Sequence, residues 1–139
     1  MTTSSALALD VPPARILIVD DEADNRALLQ IVLKWEGFST SSAENGEEAL
    51  ASATAHLPDL ILLDLMMPGL DGCEVTVQLK ANPVTKNIPV AIISAMDDRA
   101  TRARVLHAGA VDFLAKPIDR SDLCQRVRGI LGLTAAVRS

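Results

Sequence analysis

Short apolar runs alternate with stretches of helical periodicity along most of this chain. Four nearly continuous apolar runs and one weaker, Ser/Thr-rich run predict β-strands at 16–19, 38–43, 60–63, 90–93 and 110–114. Between and after them, apolar residues recur every three or four positions and predict five helices, the last over Asp119–Leu131. Strands this apolar are typical of a parallel sheet buried on both faces. Right-handed crossovers then make the fold a doubly wound α/β domain.

The length and composition fit one compact domain. The chain has 139 residues, and we place the domain at residues 14–132. We expect an amino-terminal tail (1–13) that ends at Pro12-Pro13, and a carboxyl-terminal tail (133–139). Hydrophobic residues make up 49% of the chain and aromatic residues only 2%, so the core is expected to consist of Leu, Ile, Val and Ala.

Polar functional groups follow four of the five predicted strands. The first strand is followed by Asp20 and Asp21, the third by Asp64, the fourth by Ser94 and the fifth by Lys116. In a doubly wound sheet, ligands bind outside the carboxyl ends of the strands. Three carboxylates close together repel one another unless a cation lies between them, and Mg²⁺ suits such an oxygen-rich site. We therefore expect a Mg²⁺ site at this edge, with Lys116 available to bind a carboxylate or a phosphate.

The charge balance and the cysteines restrict the function further. A net charge of −5 disfavours non-specific nucleic-acid binding, which depends on a basic surface. Cys73 and Cys124 have neither CxxC spacing nor a nearby His pair, so we expect reduced thiols rather than zinc ligands. No apolar run approaches the ~20 residues that span a membrane, and the amino terminus does not resemble a signal peptide. We expect a cytoplasmic protein without a membrane or nucleic-acid partner.

Four motifs along this sheet edge resemble those of the response-regulator receiver family. They are Ile-Val-Asp-Asp-Glu (18–22), Leu-Asp-Leu-Met-Met-Pro-Gly-Leu-Asp-Gly (63–72), Ile-Ser-Ala (93–95) and Phe-Leu-Ala-Lys-Pro (113–117). Successive functional residues, from Asp20 to Lys116, are 44, 30 and 22 positions apart, which is the spacing of the family. One motif alone is unspecific, but four in this order are specific, and the similarity covers about 15–131. It implies a (βα)5 fold with the flavodoxin-like strand order 2-1-3-4-5.

The resemblance also implies a nucleophile and a set of metal ligands. Asp64 would be the phosphoacceptor, whose carboxylate forms an acyl phosphate in a reaction that depends on Mg²⁺, with Mn²⁺ as a substitute. Asp21 would bind the metal directly, and Asp20 would help through the metal or a bound water. The backbone carbonyl of Met66 would be a further ligand. Such a chain is a switch rather than an enzyme, since it catalyses only its own phosphorylation and slow autodephosphorylation.

The remaining matched residues imply how the phosphoryl group is sensed. Ser94 and Lys116 would each bind a phosphoryl oxygen, and the Lys116-Pro117 bond is expected to be cis. As Ser94 moves toward the phosphoryl group, Phe113 would swing from an exposed to a buried rotamer. The signal would reach a downstream protein on the face formed by the fourth helix, fifth strand and fifth helix. The phosphodonor would be a sensor histidine kinase or a histidine phosphotransfer protein, and a weak homodimer is compatible with this reading.

Other functions fit the sequence less well. A phosphatase of the haloacid-dehalogenase type would need a second acid two residues after Asp64, where this chain has Met66. A flavodoxin-like or cobalamin-binding module would need a phosphate cradle where the first strand here ends in acids. A pseudo-receiver that only binds partners stays open. So does the choice between a stand-alone regulator, favoured by Met1, and a receiver fragment of a hybrid kinase or a cyclic-dinucleotide synthase.

Overall fold

The fold is a single parallel sheet with helices on both sides. The computed structural model describes residues 12–138, with side chains described up to Gly132. Within these residues the strands are β1 (Arg15–Val19), β2 (Ser39–Ala43), β3 (Leu60–Asp64), β4 (Val90–Ser94) and β5 (Asp112–Ala115). The helices are α1 (Ala23–Trp35), α2 (Gly46–His56), α3 (Gly72–Ala81), α4 (Arg99–Ala108) and α5 (Arg120–Arg138). All strand pairs are parallel and the order is β2-β1-β3-β4-β5, which confirms the predicted doubly wound, flavodoxin-like fold.

The two faces of the sheet bury separate cores, because successive residues of a strand point to opposite sides. On β1, Leu17 packs in the core beneath α2, α3 and α4, whereas Ile16 packs in the core beneath α1 and α5. The central strands β3 and β4 are buried at every residue, including the polar residues Asp64 and Ser94 at their carboxyl ends. The Ser/Thr-rich β2 lies at the edge of the sheet, as predicted. Because helices cover both faces of the sheet, the carboxyl ends of its strands are held in place, and so are the side chains located there.

Two element boundaries near the carboxyl end differ from the prediction. Strand β5 begins at Asp112 rather than Ala110, because the backbone before it still closes the end of α4. Helix α5 continues to Arg138 instead of ending at Leu131. Gly132 does not end the helix, since a glycine inside a helix costs only about 1 kcal/mol relative to alanine.

The structure describes only the end of the predicted amino-terminal tail, whereas all of its helices can be compared with the length of a membrane span. Residues 1–11 of the predicted amino-terminal tail lie outside the described part of the chain, and the domain limits 14–132 stay a prediction. Across residues 12–138, no helix combines the length and the apolar composition that crossing a bilayer requires.

Candidate functional site

Three carboxylates meet at the carboxyl edge of the sheet, where β1 and β3 end. Asp20, Asp21 and Asp64 each offer a carboxylate oxygen, and these oxygens lie within 4.8 Å of one another. Asp20 and Asp64 are only 3% and 4% exposed, whereas Asp21 is open to solvent. Carboxylates this close repel one another, and burial of two of them removes the water that would screen the repulsion. The cluster is therefore built to receive positive charge.

Lys116 supplies one positive charge to this cluster. Its Nζ lies 3.5 Å from Oδ1 of Asp64 and 3.8 Å from Oδ2 of Asp20. The backbone N–H of Lys116 donates to the carbonyl of Ser94 at 2.9 Å, so the end of β4 fixes the start of the loop after β5. The Lys116–Pro117 peptide bond is cis. One ammonium thus contacts two of the three carboxylates, and the cluster keeps a negative balance.

Burial dominates the electrostatics of Asp64. Its pKa is raised from 3.8 to about 6, chiefly by loss of hydration and in part by the negative charge of Asp20. Lys116 and the backbone N–H of Met66, which donates to Oδ1 at 3.4 Å, lower the pKa but do not offset the burial. A buried carboxylate that nearby positive charge compensates only in part is a suitable ligand for a hard divalent cation. Its neighbours offer oxygen ligands, as Mg²⁺ prefers.

Ser94 and Phe113 occupy the neighbouring strands. Ser94 is fully buried at the end of β4, and its Oγ accepts a hydrogen bond from the N–H of Met96 at 3.0 Å. Phe113, in β5, is 3% exposed and packs in the core beneath α4, opposite Ile92 of β4. The predicted movement of Phe113 began from an exposed rotamer. In the structure the ring lies inward, within the core that also contains Ile92.

Two residues that the sequence did not single out also shape the site. A Cβ at Gly72, the first residue of α3, would lie 2.6 Å from the carbonyl oxygen of Asp64, so only glycine lets α3 begin there. Arg26, in α1, donates from Nη1 to the carbonyl of Asp20 at 2.7 Å and fixes the turn after β1 that carries Asp20 and Asp21. Gly72 belongs to the quoted motif but had no assigned role. No sequence signal pointed to Arg26, because the contact depends on how α1 packs.

A largely apolar groove of about 820 Å³ opens beside the acidic cluster. Asp20 and Lys116 lie at the end shared with the cluster, and Leu28, Ile31 and Pro117 are among the apolar residues that line the rest. Leu28 and Ile31 project from α1 and are mostly exposed. The approach to the acidic cluster is therefore bordered by an apolar surface between α1 and the start of α5.

Comparison with known proteins agrees with this geometry. The model of the response regulator receiver domain family matches residues 16–128. Response regulator PleD of Caulobacter vibrioides is 50% identical over 117 residues, which are 84% of this chain and 26% of PleD. Transcriptional regulatory protein ResD of Bacillus subtilis is 41% identical over 117 residues, 84% of this chain and 48% of ResD. The chain thus spans about a quarter to a half of these curated relatives.

Solved structures show the same fold over the whole of a receiver domain. The receiver domain of the Francisella response regulator 1452 superposes with a TM-score of 0.82 at 30% identity, covering 87% of this chain and 98% of that one. The receiver domain of a signal transduction histidine kinase from Syntrophus aciditrophicus gives a TM-score of 0.80 at 34% identity, covering 86% and 90%. Since the family model, the fold and the strand order all agree, the chain belongs to the receiver domain family of two-component response regulators.

Proposed function

We propose that this chain is a phosphorylation-activated switch whose Asp64 accepts a phosphoryl group from a phosphohistidine. The donor would be a sensor histidine kinase or a histidine phosphotransfer protein. The observation that carries the proposal is the cluster of three carboxylates, two of them buried, with the Lys116 ammonium 3.5 Å from Asp64. Receiver domains are generally signalling switches, and this cluster holds the groups that such chemistry uses.

The chemistry requires positioning and charge neutralisation more than covalent work by the protein. The N–P bond of the donor breaks as an O–P bond to Asp64 forms, and a carboxylate with a pKa of about 6 is mostly ionised at neutral pH. Lys116 would bind an oxygen of the transferred group. Asp20, Asp21 and the carbonyl of Met66 would hold Mg²⁺ together with Asp64. When bound, the ion neutralises the charge on the phosphoryl oxygens.

Ser94 would couple the transferred group to the rest of the domain. Its Oγ accepts the N–H of Met96, and its O–H would donate to a phosphoryl oxygen, which would draw the connection between β4 and α4 toward the site. The downstream partner would bind the face formed by α4, β5 and α5. Leu106 of α4 and Val111 just before β5 are about half exposed on this part of the domain and offer apolar contacts.

The phosphodonor would approach over the groove beside Lys116. Leu28 and Ile31 would pack against its apolar side chains while its phosphohistidine reaches the acidic cluster. A donor of this kind would place the switch in the cytoplasm.

Intact mass spectrometry after incubation with acetyl phosphate and Mg²⁺ tests the proposal. We expect one labile phosphoryl adduct that is lost without Mg²⁺ and in Asp64→Asn. Asp24→Asn, which changes an exposed aspartate outside the cluster, should keep the adduct. An adduct that persists in Asp64→Asn would show another acceptor. No adduct under any condition, together with no Mg²⁺ binding, would favour a pseudo-receiver that only binds partners.

A further inference from the structure

Arg102, on the outer face of α4, covers the ring of Phe113. Its guanidinium carbon lies 4.7 Å from the ring centroid, a cation–π geometry. The ring is 3% exposed, whereas the arginine side chain is open to solvent. Arg102 thus closes the solvent side of the position that Phe113 occupies.

The same guanidinium is tied to the connection between β4 and α4. Its Nε donates to the carbonyl of Asp97 at 3.0 Å, and an Nη lies 4.0 Å from the Asp97 carboxylate. That connection begins directly after Ser94, whose Oγ accepts the N–H of Met96. The Arg102 side chain therefore contacts both the Phe113 ring and the loop that follows Ser94, whose hydroxyl is the candidate phosphoryl ligand.

Neighbouring arginines are engaged differently. Arg104, on the same helix, contacts the Asp71 carboxylate at 2.8 Å, and Arg126 of α5 contacts Asp112 at 2.8 Å. These two guanidinium groups are held by close carboxylate pairs. The guanidinium of Arg102 instead lies over the Phe113 ring, with the Asp97 carboxylate 4.0 Å from one of its nitrogens.

We propose that Arg102 is a positioning residue that holds the ring of Phe113 inward, in the position that phosphorylation is expected to favour. Its effect on signalling rests on the proposed function, but its effect on the ring does not. Losing Arg102 would release the ring and make the inward position more dependent on phosphorylation.

The chain has two phenylalanines, so incorporation of 4-fluorophenylalanine gives a two-line ¹⁹F spectrum in which Phe38 serves as an internal reference. Phe38→Leu assigns the lines. The measurement is the relaxation of each line by a soluble nitroxide, in unphosphorylated protein without Mg²⁺. We compare wild type with Arg102→Ala, Arg102→Lys and Arg104→Ala, the last removing a guanidinium of the same helix that contacts Asp71. Thermal melts check that the variants are folded.

We expect Arg102→Ala to raise the nitroxide relaxation of Phe113 about two- to fivefold, with Phe38 unchanged. Arg102→Lys should lie between, since an ammonium stacks less well, and Arg104→Ala should match wild type. A Phe113 line equally protected in Arg102→Ala, or an equal effect of Arg104→Ala, would overturn the proposal. Acetyl phosphate should then shift the Phe113 line more in Arg102→Ala than in wild type. If intact mass shows no adduct in either protein, the proposed function fails while the result on the ring stands.

Discussion

At the scale of single residues, Asp64 is placed for reactivity at the expense of stability. Its folded pKa of about 6 lies above the unfolded value of 3.8, because burial disfavours the ionised form. Because the folded pKa is raised, protonated Asp64 contributes fully to the free energy of unfolding below about pH 4. This contribution is lost as the pH rises through about 6 and the carboxyl ionises. At neutral pH without a metal, ionised Asp64 therefore destabilises the fold.

Replacement of Asp64 by Asn should stabilise the metal-free protein at pH 7. The gain should be about 1–3 kcal/mol, since each pKa unit corresponds to about 1.4 kcal/mol and residual solvation reduces the effect. Urea denaturation at pH 7 and at pH 4.5 measures it. The gain should shrink at pH 4.5, where wild-type Asp64 is protonated. A destabilised Asp64→Asn at pH 7 would show that the carboxylate is well compensated in the metal-free fold.

Lys116 competes with Mg²⁺ for the same carboxylates. Its ammonium lies 3.5 Å and 3.8 Å from two of them, so a divalent ion enters a cluster that already holds one positive charge. Lys116→Met should therefore bind Mg²⁺ several-fold more tightly, although it removes the group that would hold the phosphoryl oxygen. Calorimetric titration measures the affinity. Lys34→Met, the same change at the far end of α1, should match wild type, and weaker binding by Lys116→Met would refute the competition.

At the scale of elements, the start of α3 is fitted to the backbone of β3. A Cβ at Gly72 would meet the carbonyl oxygen of Asp64 at 2.6 Å and the Cα of Leu65 at 2.9 Å. Both are backbone atoms, which cannot give way as a flexible side chain would. Position 72 therefore couples the placement of a helix to the placement of the candidate phosphoacceptor.

Gly72→Ala should lower stability by about 1–3 kcal/mol and weaken Mg²⁺ binding, because relieving the clash displaces Asp64. Gly129→Ala is the matched control. That glycine lies in α5, a Cβ there meets nothing within 4 Å, and the change should stabilise the chain by about 1 kcal/mol through helix propensity. Thermal melts and a Mg²⁺ titration give both quantities. Equal Mg²⁺ affinity in Gly72→Ala and wild type would show that α3 can shift without moving Asp64.

At the scale of the whole molecule, the fold could be predicted from the sequence because the apolar runs and the polar residues that follow them indicate the same architecture. Apolar runs at β3 and β4 predicted their burial, and the acids that follow β1 and β3 predicted an acidic edge. What escaped prediction depends on packing between elements that are distant in sequence. The contact of Arg102 with Phe113 needs α4 placed against β5, and that of Arg26 with the Asp20 carbonyl needs α1 seated on the sheet. The spacing of apolar residues along the sequence predicts neither contact.

The acidic cluster also links the site to the stability of the domain. Asp20 directly follows β1 and Asp64 ends β3, so an ion held by both carboxylates would tie the two strands together at their ends and favour the folded chain. A Mg²⁺ concentration 100 times the dissociation constant should add about 2.7 kcal/mol of stability, which raises the melting temperature by several degrees. Mn²⁺ should act in the same direction.

Melting curves with Mg²⁺ and with NaCl at equal ionic strength separate this effect from general screening. Wild type should be stabilised by Mg²⁺ beyond the NaCl reference, whereas Asp20→Asn and Asp64→Asn should gain much less because each removes one charge from the cluster. Asp24→Asn should keep the full response, since its exposed carboxylate lies outside the cluster. Equal gains in all four proteins would place the ion elsewhere on this acidic chain. A gain confined to proteins with an intact cluster would locate it between β1 and β3.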